Sequence, residues 1–164
     1  MANVVREQKL IDSTRKALVK YVVLSDGTAT ANTRLLDASG LAYSLNANGQ
    51  ILGVGTDIKS DGYVLTINRI FGYSKLAGYV SLKWEGDANS EIVTFGGNGQ
   101  FDFNFAEGGT AGSISNPEAN ATGDILYTTV APTNGDTFTL FVELKKDGGS
   151  YDQGQTADPT AFNR

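Results

Sequence analysis

GDILYTTVAPTNGDTFTLFVELKK, residues 123–146, is the stretch on which the reading of this chain turns. In its second half Phe138, Leu140, Val142 and Leu144 alternate with Thr137, Thr139, Phe141, Glu143 and Lys145, a period of two that only Phe141 breaks. That half predicts a strand. Ile125 to Val130 is equally rich in β-branched and aromatic residues, and Pro132, Asn134, Gly135 and Asp136 between the two supply fixed φ, left-handed tolerance and side-chain-to-backbone bonds. The stretch therefore reads as a β-hairpin.

Working outward, KALVKYVVL (Lys16 to Leu24) puts Leu18, Val22 and Leu24 on one face and Val19, Tyr21 and Val23 on the other. Both faces read as covered, which suits an inner strand or one buried on a partner. Ser25, Asp26 and Gly27 signal a turn, and residues 28–38 hold a weaker strand with Leu35 and Leu36. Residues 39–62, with five glycines, read as a long loop with one brief strand. Over 63–73, Tyr63, Leu65, Ile67 and Phe71 share a face, with Arg69 the exception. GYVSLKWE (Gly78 to Glu85) points Val80, Leu82 and Trp84 inward, the tryptophan as a core anchor. Glu91 to Phe95 and Gln100 to Phe105 read as another hairpin turning at Gly96 to Gly99, with Phe101, Phe103 and Phe105 in the core. Residues 106–122 show no period and read as a loop.

The chain has 164 residues, enough for one domain with its own core. It contains no cysteine and no histidine, which removes disulfides, thiolate chemistry, the commonest general base and the commonest transition-metal ligand. No segment approaches the length of a membrane span, and the first residues lack the apolar run of a signal peptide. The net charge of −5 argues against non-specific nucleic-acid binding. Arg6, Lys9, Arg15, Lys16 and Lys20 against Glu7 and Asp12 nevertheless leave the first twenty residues at +3 and the remainder at −8.

Candidate chemistry is sparse. Asp87, Asn89 and Glu91 carry oxygens at every second residue, a spacing that could contribute to a calcium site but lacks the glycine and distal glutamate of an EF-hand loop. The GGNG run joins two predicted strands and has no following helix, so it reads as a turn rather than a phosphate cradle. Asp102, Glu85, Glu91 and Glu143 lie on predicted strands without singling out a catalytic pair. Asn120, Ala121 and Thr122 match a glycosylation sequon. No enzymatic activity and no cofactor are expected.

Taken in order, LLDAS (Leu35 to Ser39), YVLTINRI, VSLKWEGDANSEIVTF, GNGQFDFNF, GDILYTT and GDTFTLFVELKK form a succession that resembles small virion structural proteins of tailed bacteriophages, especially marine phages such as cyanophages. The resemblance runs from about Lys16 to Lys146, and the closing YDQGQTADPTAFNR is similar to the tails of the marine members. It implies a non-enzymatic capsid decoration or cement protein, assembled in the host cytoplasm into the virion, contacting the major capsid protein or other virion proteins as a homo-oligomer. The alternatives are a neck, tail or fibre-associated subunit and a carbohydrate-binding β-sandwich module.

The expected architecture is a single antiparallel β-sandwich or jelly-roll-like barrel of about seven or eight strands over 16–147, with arms at 1–15 and 148–164. The N-terminal arm holds at most a short helix. Partner contacts are expected at Arg6, Lys9, Arg15, Lys16, Tyr151 and Phe162, the arms clamping neighbouring subunits.

Overall fold

The computed structural model describes residues 3–51, 58–105 and 114–154. Within them the strands are β1 (Val4–Asp12), β2 (Lys16–Asp26), β3 (Thr33–Leu36), β4 (Leu65–Trp84), β5 (Glu91–Asn104), β6 (Ile114–Ser115), β7 (Ile125–Val130) and β8 (Asn134–Lys146), with one 3-10 turn at Ala38–Gly40. All pairings are antiparallel, and the eight strands form one curled sheet around a single core. The expected all-β build is what the chain adopts.

The long strand β4 organises the sheet. Along one side it pairs with β5, from Arg69 opposite Asn104 to Lys83 opposite Glu91. Along the other it pairs first with β8, Leu65 opposite Lys146 to Lys75 opposite Thr137, and then with β7, Tyr79 opposite Val130 to Trp84 opposite Ile125. β7 and β8 thus lie end to end along one edge of β4. The predicted hairpin is corrected here: both halves are strands, but they pair with β4 rather than with each other.

What was read as a reversal at residues 131–136 is a corner. β4 bends with it over Leu76 to Gly78, and β5 bends at Gly96 to Gly99, which continue one strand instead of closing a hairpin. Asp136 holds the corner: its carboxylate accepts from the amides of Thr133 (2.9 Å) and Ala77 (3.1 Å) and from the Thr133 hydroxyl (2.8 Å). Burial pushes its pKa up, but these donors and Lys75 outweigh burial and hold it below the ordinary carboxylate value. The fold places β1-β2-β8 and the first half of β4 in one wall and β3-β7 and the second half of β4 in the other.

Between the walls lie Val19, Tyr21 and Val23 of β2, Leu140, Val142 and Leu144 of β8, Ile70, Leu82 and Trp84 of β4, and Ile125 and Tyr127 of β7, all buried. Such burial contributes roughly 1.5–3 kcal/mol for each large apolar side chain. Trp84 is the core anchor its sequence context predicts. Phe101, Phe103 and Phe105 pack against the core from its margin, half-buried, with Phe101 stacked on Phe95 at 4.3 Å.

Within the described residues, 4–12 and Tyr151 lie against the sheet at positions where arms were expected. Residues 4–12 are an edge strand, because alternate backbone groups of β1 bond to β2 from Val4 opposite Leu24 to Asp12 opposite Ala17. Tyr151 is fully buried, its hydroxyl donating to the Ala38 carbonyl (2.7 Å) and its ring 5.6 Å from Tyr63. Lys146 is buried beside it. Its ammonium donates to Asp12 Oδ1 (2.6 Å), the Ser13 carbonyl (2.6 Å) and the Ala42 carbonyl (2.8 Å), using all three protons. Burial lowers its pKa, which the Asp12 carboxylate partly offsets.

Candidate functional site

Alternation along each strand assigns every residue of the β1-β2-β8-β4-β5 wall to the core side or the outer side. On the outer side, rows run across the sheet through register neighbours: Gln8, Lys20, Phe141, Phe71 and Asp102; then Arg6, Val22, Thr139, Tyr73 and Gln100. Flanking them are Ile11, Leu18, Glu143 and Arg69 on one side and Val4, Leu24, Thr137 and Lys75 on the other. Tyr73 is 56% exposed, Val4 48% and Leu24 45%. A contiguous apolar and aromatic strip therefore covers the outside of this wall.

Two irregularities put these residues outside. A bulge at Asn68, between Ile67 and Arg69, reverses the alternation of β4, so Ile70 turns into the core and Phe71 turns out. The predicted common face of Leu65, Ile67 and Phe71 is corrected accordingly. The second is Phe141 itself, whose apolar ring breaks the alternation of β8 because it faces outward. Likewise no layer among the described residues covers the outer residues Leu18, Val22 and Leu24 of β2, Leu24 being the most open of them.

The aromatic rings on this face are closed against each other. Phe71 and Phe141 stack with centroids 4.9 Å apart and planes 4° from parallel. The Arg69 guanidinium lies 4.3 Å from the Phe71 centroid and the Lys20 ammonium 5.8 Å from that of Phe141. Arg69 also grips Asp102 with two bonds, Nε to Oδ1 (3.0 Å) and Nη2 to Oδ2 (2.6 Å). Those bonds hold the Asp102 carboxyl below its ordinary pKa. Arg69, Phe71, Tyr73, Gln100, Asp102 and Phe141 line an open groove here.

Charge on this face runs opposite to the protein as a whole. Arg6, Lys16, Lys20, Arg69, Lys75 and Lys145 all fall on the outer side, against Glu143 and Asp102. An acidic chain thus presents one basic wall, its apolar strip rimmed by cations.

The predicted partner residues are only partly brought together. Arg6 and Lys16 belong to this face. Lys9 points the other way, donating to the Gly40 carbonyl (2.5 Å), and Arg15 sits exposed in the turn between β1 and β2. Tyr151 is excluded as a contact by its burial, and Phe162 lies outside the described residues. The sequence reading did not select Phe71, Tyr73 or Phe141 as contacts, although Phe141 and Arg69 stood out as breaks in otherwise regular patterns.

The calcium spacing does not converge. Asp87 accepts from the Asn120 amide (3.1 Å), Asn89 turns back to the Gly86 amide (3.2 Å), and Glu91 accepts from the hydroxyls of Ser81 and Thr94. Among the described residues no group of three or more metal-ligating side chains is assembled. No helix among them is long and apolar enough to cross a membrane.

One carboxylate outside the wall is strongly perturbed. Asp124 accepts from the Ala38 amide (2.8 Å) with Arg34 3.6 Å away. Burial, together with Asp37 and Glu85, nonetheless pushes its pKa up to about 6. The folded protein therefore holds this proton more tightly than the unfolded chain. Its contribution to stability is complete below an ordinary aspartate pKa and is lost as pH rises through about 6. Asp124→Asn keeps an oxygen acceptor for Ala38, so it should match the wild type at pH 4 and be more stable at pH 7, by about 2–3 kcal/mol. Urea unfolding across that range checks this; a variant that tracks the wild type throughout would show that Asp124 does not carry the slope.

No family model matches the chain, and no curated protein matches it. Two solved structures are similar. One is the mud crab dicistrovirus, at 12% identity over 93% of this chain and 74% of that one, with a TM-score of 0.29. The other is a mutant of a family 29 carbohydrate-binding module solved to probe ligand recognition, at 13% identity over 97% and 99%, also with a TM-score of 0.29. At that score neither likeness decides a fold or a role.

Proposed function

We propose that this chain is a non-enzymatic virion structural protein of the capsid decoration type, seated on an acidic surface of a neighbouring virion protein through the outer face of the β1-β2-β8-β4-β5 wall. The observation that carries the reading is the cation-rimmed strip of Leu24, Tyr73, Phe71 and Phe141. Connected apolar surface of this kind is rare on a protein with no partner, and six cations around it favour an acidic counterpart. The succession of strand motifs resembling phage virion proteins supports the same role.

Ring orientation favours a protein partner over a sugar. Carbohydrate recognition needs an open aromatic face, whereas Phe71 spends its faces on Phe141 and Arg69. Among the described aromatic residues of this wall, Tyr73 alone remains open.

Co-sedimentation with undecorated capsid shells tests the proposal, with tail assemblies as a parallel bait. Wild-type protein should bind shells saturably and release as salt rises. Tyr73→Ala combined with Leu24→Asp, both at exposed positions, should weaken binding about thirtyfold or more while leaving the fold intact. Binding to tails alone moves the role to a neck or tail subunit. Binding to soluble glycans that Tyr73→Ala abolishes, with none to shells, would establish the carbohydrate module instead.

A further inference from the structure

β1 is a strand without a second neighbour among the described residues. Every residue from Val4 to Ile11 is exposed, and one edge of its backbone bonds to β2 while the other is open. Regular open edges of this length invite pairing with another chain. The other free edges are poorer templates: β3 has four residues, and β5 is interrupted by Gly97 and Gly99, both with positive φ.

We propose that two copies of this chain join edge to edge through β1, antiparallel about a twofold axis at Gln8. The partner is a second copy because the strand complements itself in that register alone. An axis normal to the sheet keeps outer residues outer, so Arg6 and Gln8 can oppose only one another, and Val5, Glu7 and Lys9 only one another. An axis at Arg6, Glu7 or Lys9 sets like charges face to face. One at Val5 overlaps only Val4 to Arg6, and one beyond Lys9 falls on the irregularity at Leu10. At Gln8 the amide meets its own copy. Glu7 then opposes Lys9 of the second copy twice over, within the regular part of the strand.

The inference is independent of the virion role, although such a dimer would present both outer faces on the same side of one continuous sheet. Its test is a mixing experiment read by sedimentation velocity over a concentration series at low salt. Wild-type protein should show a reversible monomer–dimer equilibrium. Glu7→Lys alone sets Lys against Lys, and Lys9→Glu alone sets Glu against Glu. Each should raise the dimer dissociation constant about tenfold or more. An equimolar mixture of the two variants restores opposite charges at both positions and should recover association as a heterodimer. A fold defect in either variant cannot produce that recovery. Wild-type protein that stays monomeric throughout, variants that dimerise like the wild type, or a mixture no better than its components would each overturn the proposal.

Discussion

Lys146→Met should lower stability by about 3–5 kcal/mol, the loss characteristic of breaking a buried ion pair from one side. For a chain of this length that corresponds to a fall in Tm of roughly 10–15 °C. Lys146 has no exposed side-chain surface and satisfies Asp12 and the carbonyls of Ser13 and Ala42 at once. Methionine fills a similar volume but donates nothing, so three part-buried acceptors lose their donor. Asp12 keeps the Ala42 amide, which donates to its Oδ2 (2.9 Å), as its remaining partner. Asp12→Asn combined with Lys146→Met removes the uncompensated charge and should recover part of the loss, the mark of direct coupling. Calorimetry on the four proteins of this cycle decides it. A single Lys146→Met change costing under about 1 kcal/mol would show that the cluster is incidental.

Gly78→Ala should be the most damaging change at the corner, costing at least about 3 kcal/mol. A methyl group there would fall 1.8 Å from the Val130 carbonyl oxygen and 2.8 Å from that of Ala131. Both are backbone, so β4 and β7 must separate where the sheet bends. Gly97→Ala is the control. Its methyl meets nothing within 4 Å, and only its φ of +70° opposes the change, a cost of about 1 kcal/mol. Denaturant unfolding of the pair measures the difference. Equal losses would mean that the corner tolerates separation and that close approach at Gly78 is not what requires glycine.

Strand identity was legible in the sequence to the extent that it is local. Alternation located β8, the second half of β4 and the inward Trp84, because a two-residue period records which side faces the core. Pairing was less legible. Pro132, Asn134, Gly135 and Asp136 specify a departure from extended backbone, but whether the chain then reverses or only bends depends on β4, more than fifty residues earlier. The bulge at Asn68 has no composition of its own, and it inverted the expected facing of Phe71. Tyr151 reads as an arm contact because its partners, Ala38 and Tyr63, lie 113 and 88 residues earlier. For the outer face, the signs were the exceptions: Phe141 on the polar side of β8 and Arg69 among apolar residues of β4 both lie on it, packed around Phe71.

The position of β8 has a consequence for how the protein comes to be made. β1 with β2 and β4 with β5 are neighbours in sequence and can pair as soon as they are synthesised, yet the slot between β2 and β4 is filled by a strand that follows both. Closing it requires contacts across more than a hundred residues, the kind of long-range pairing that makes folding slow. Until then two hairpins expose facing edges of matched length. At high concentration β8 of another molecule is the natural competitor for that slot, which makes strand exchange the expected route of misassembly.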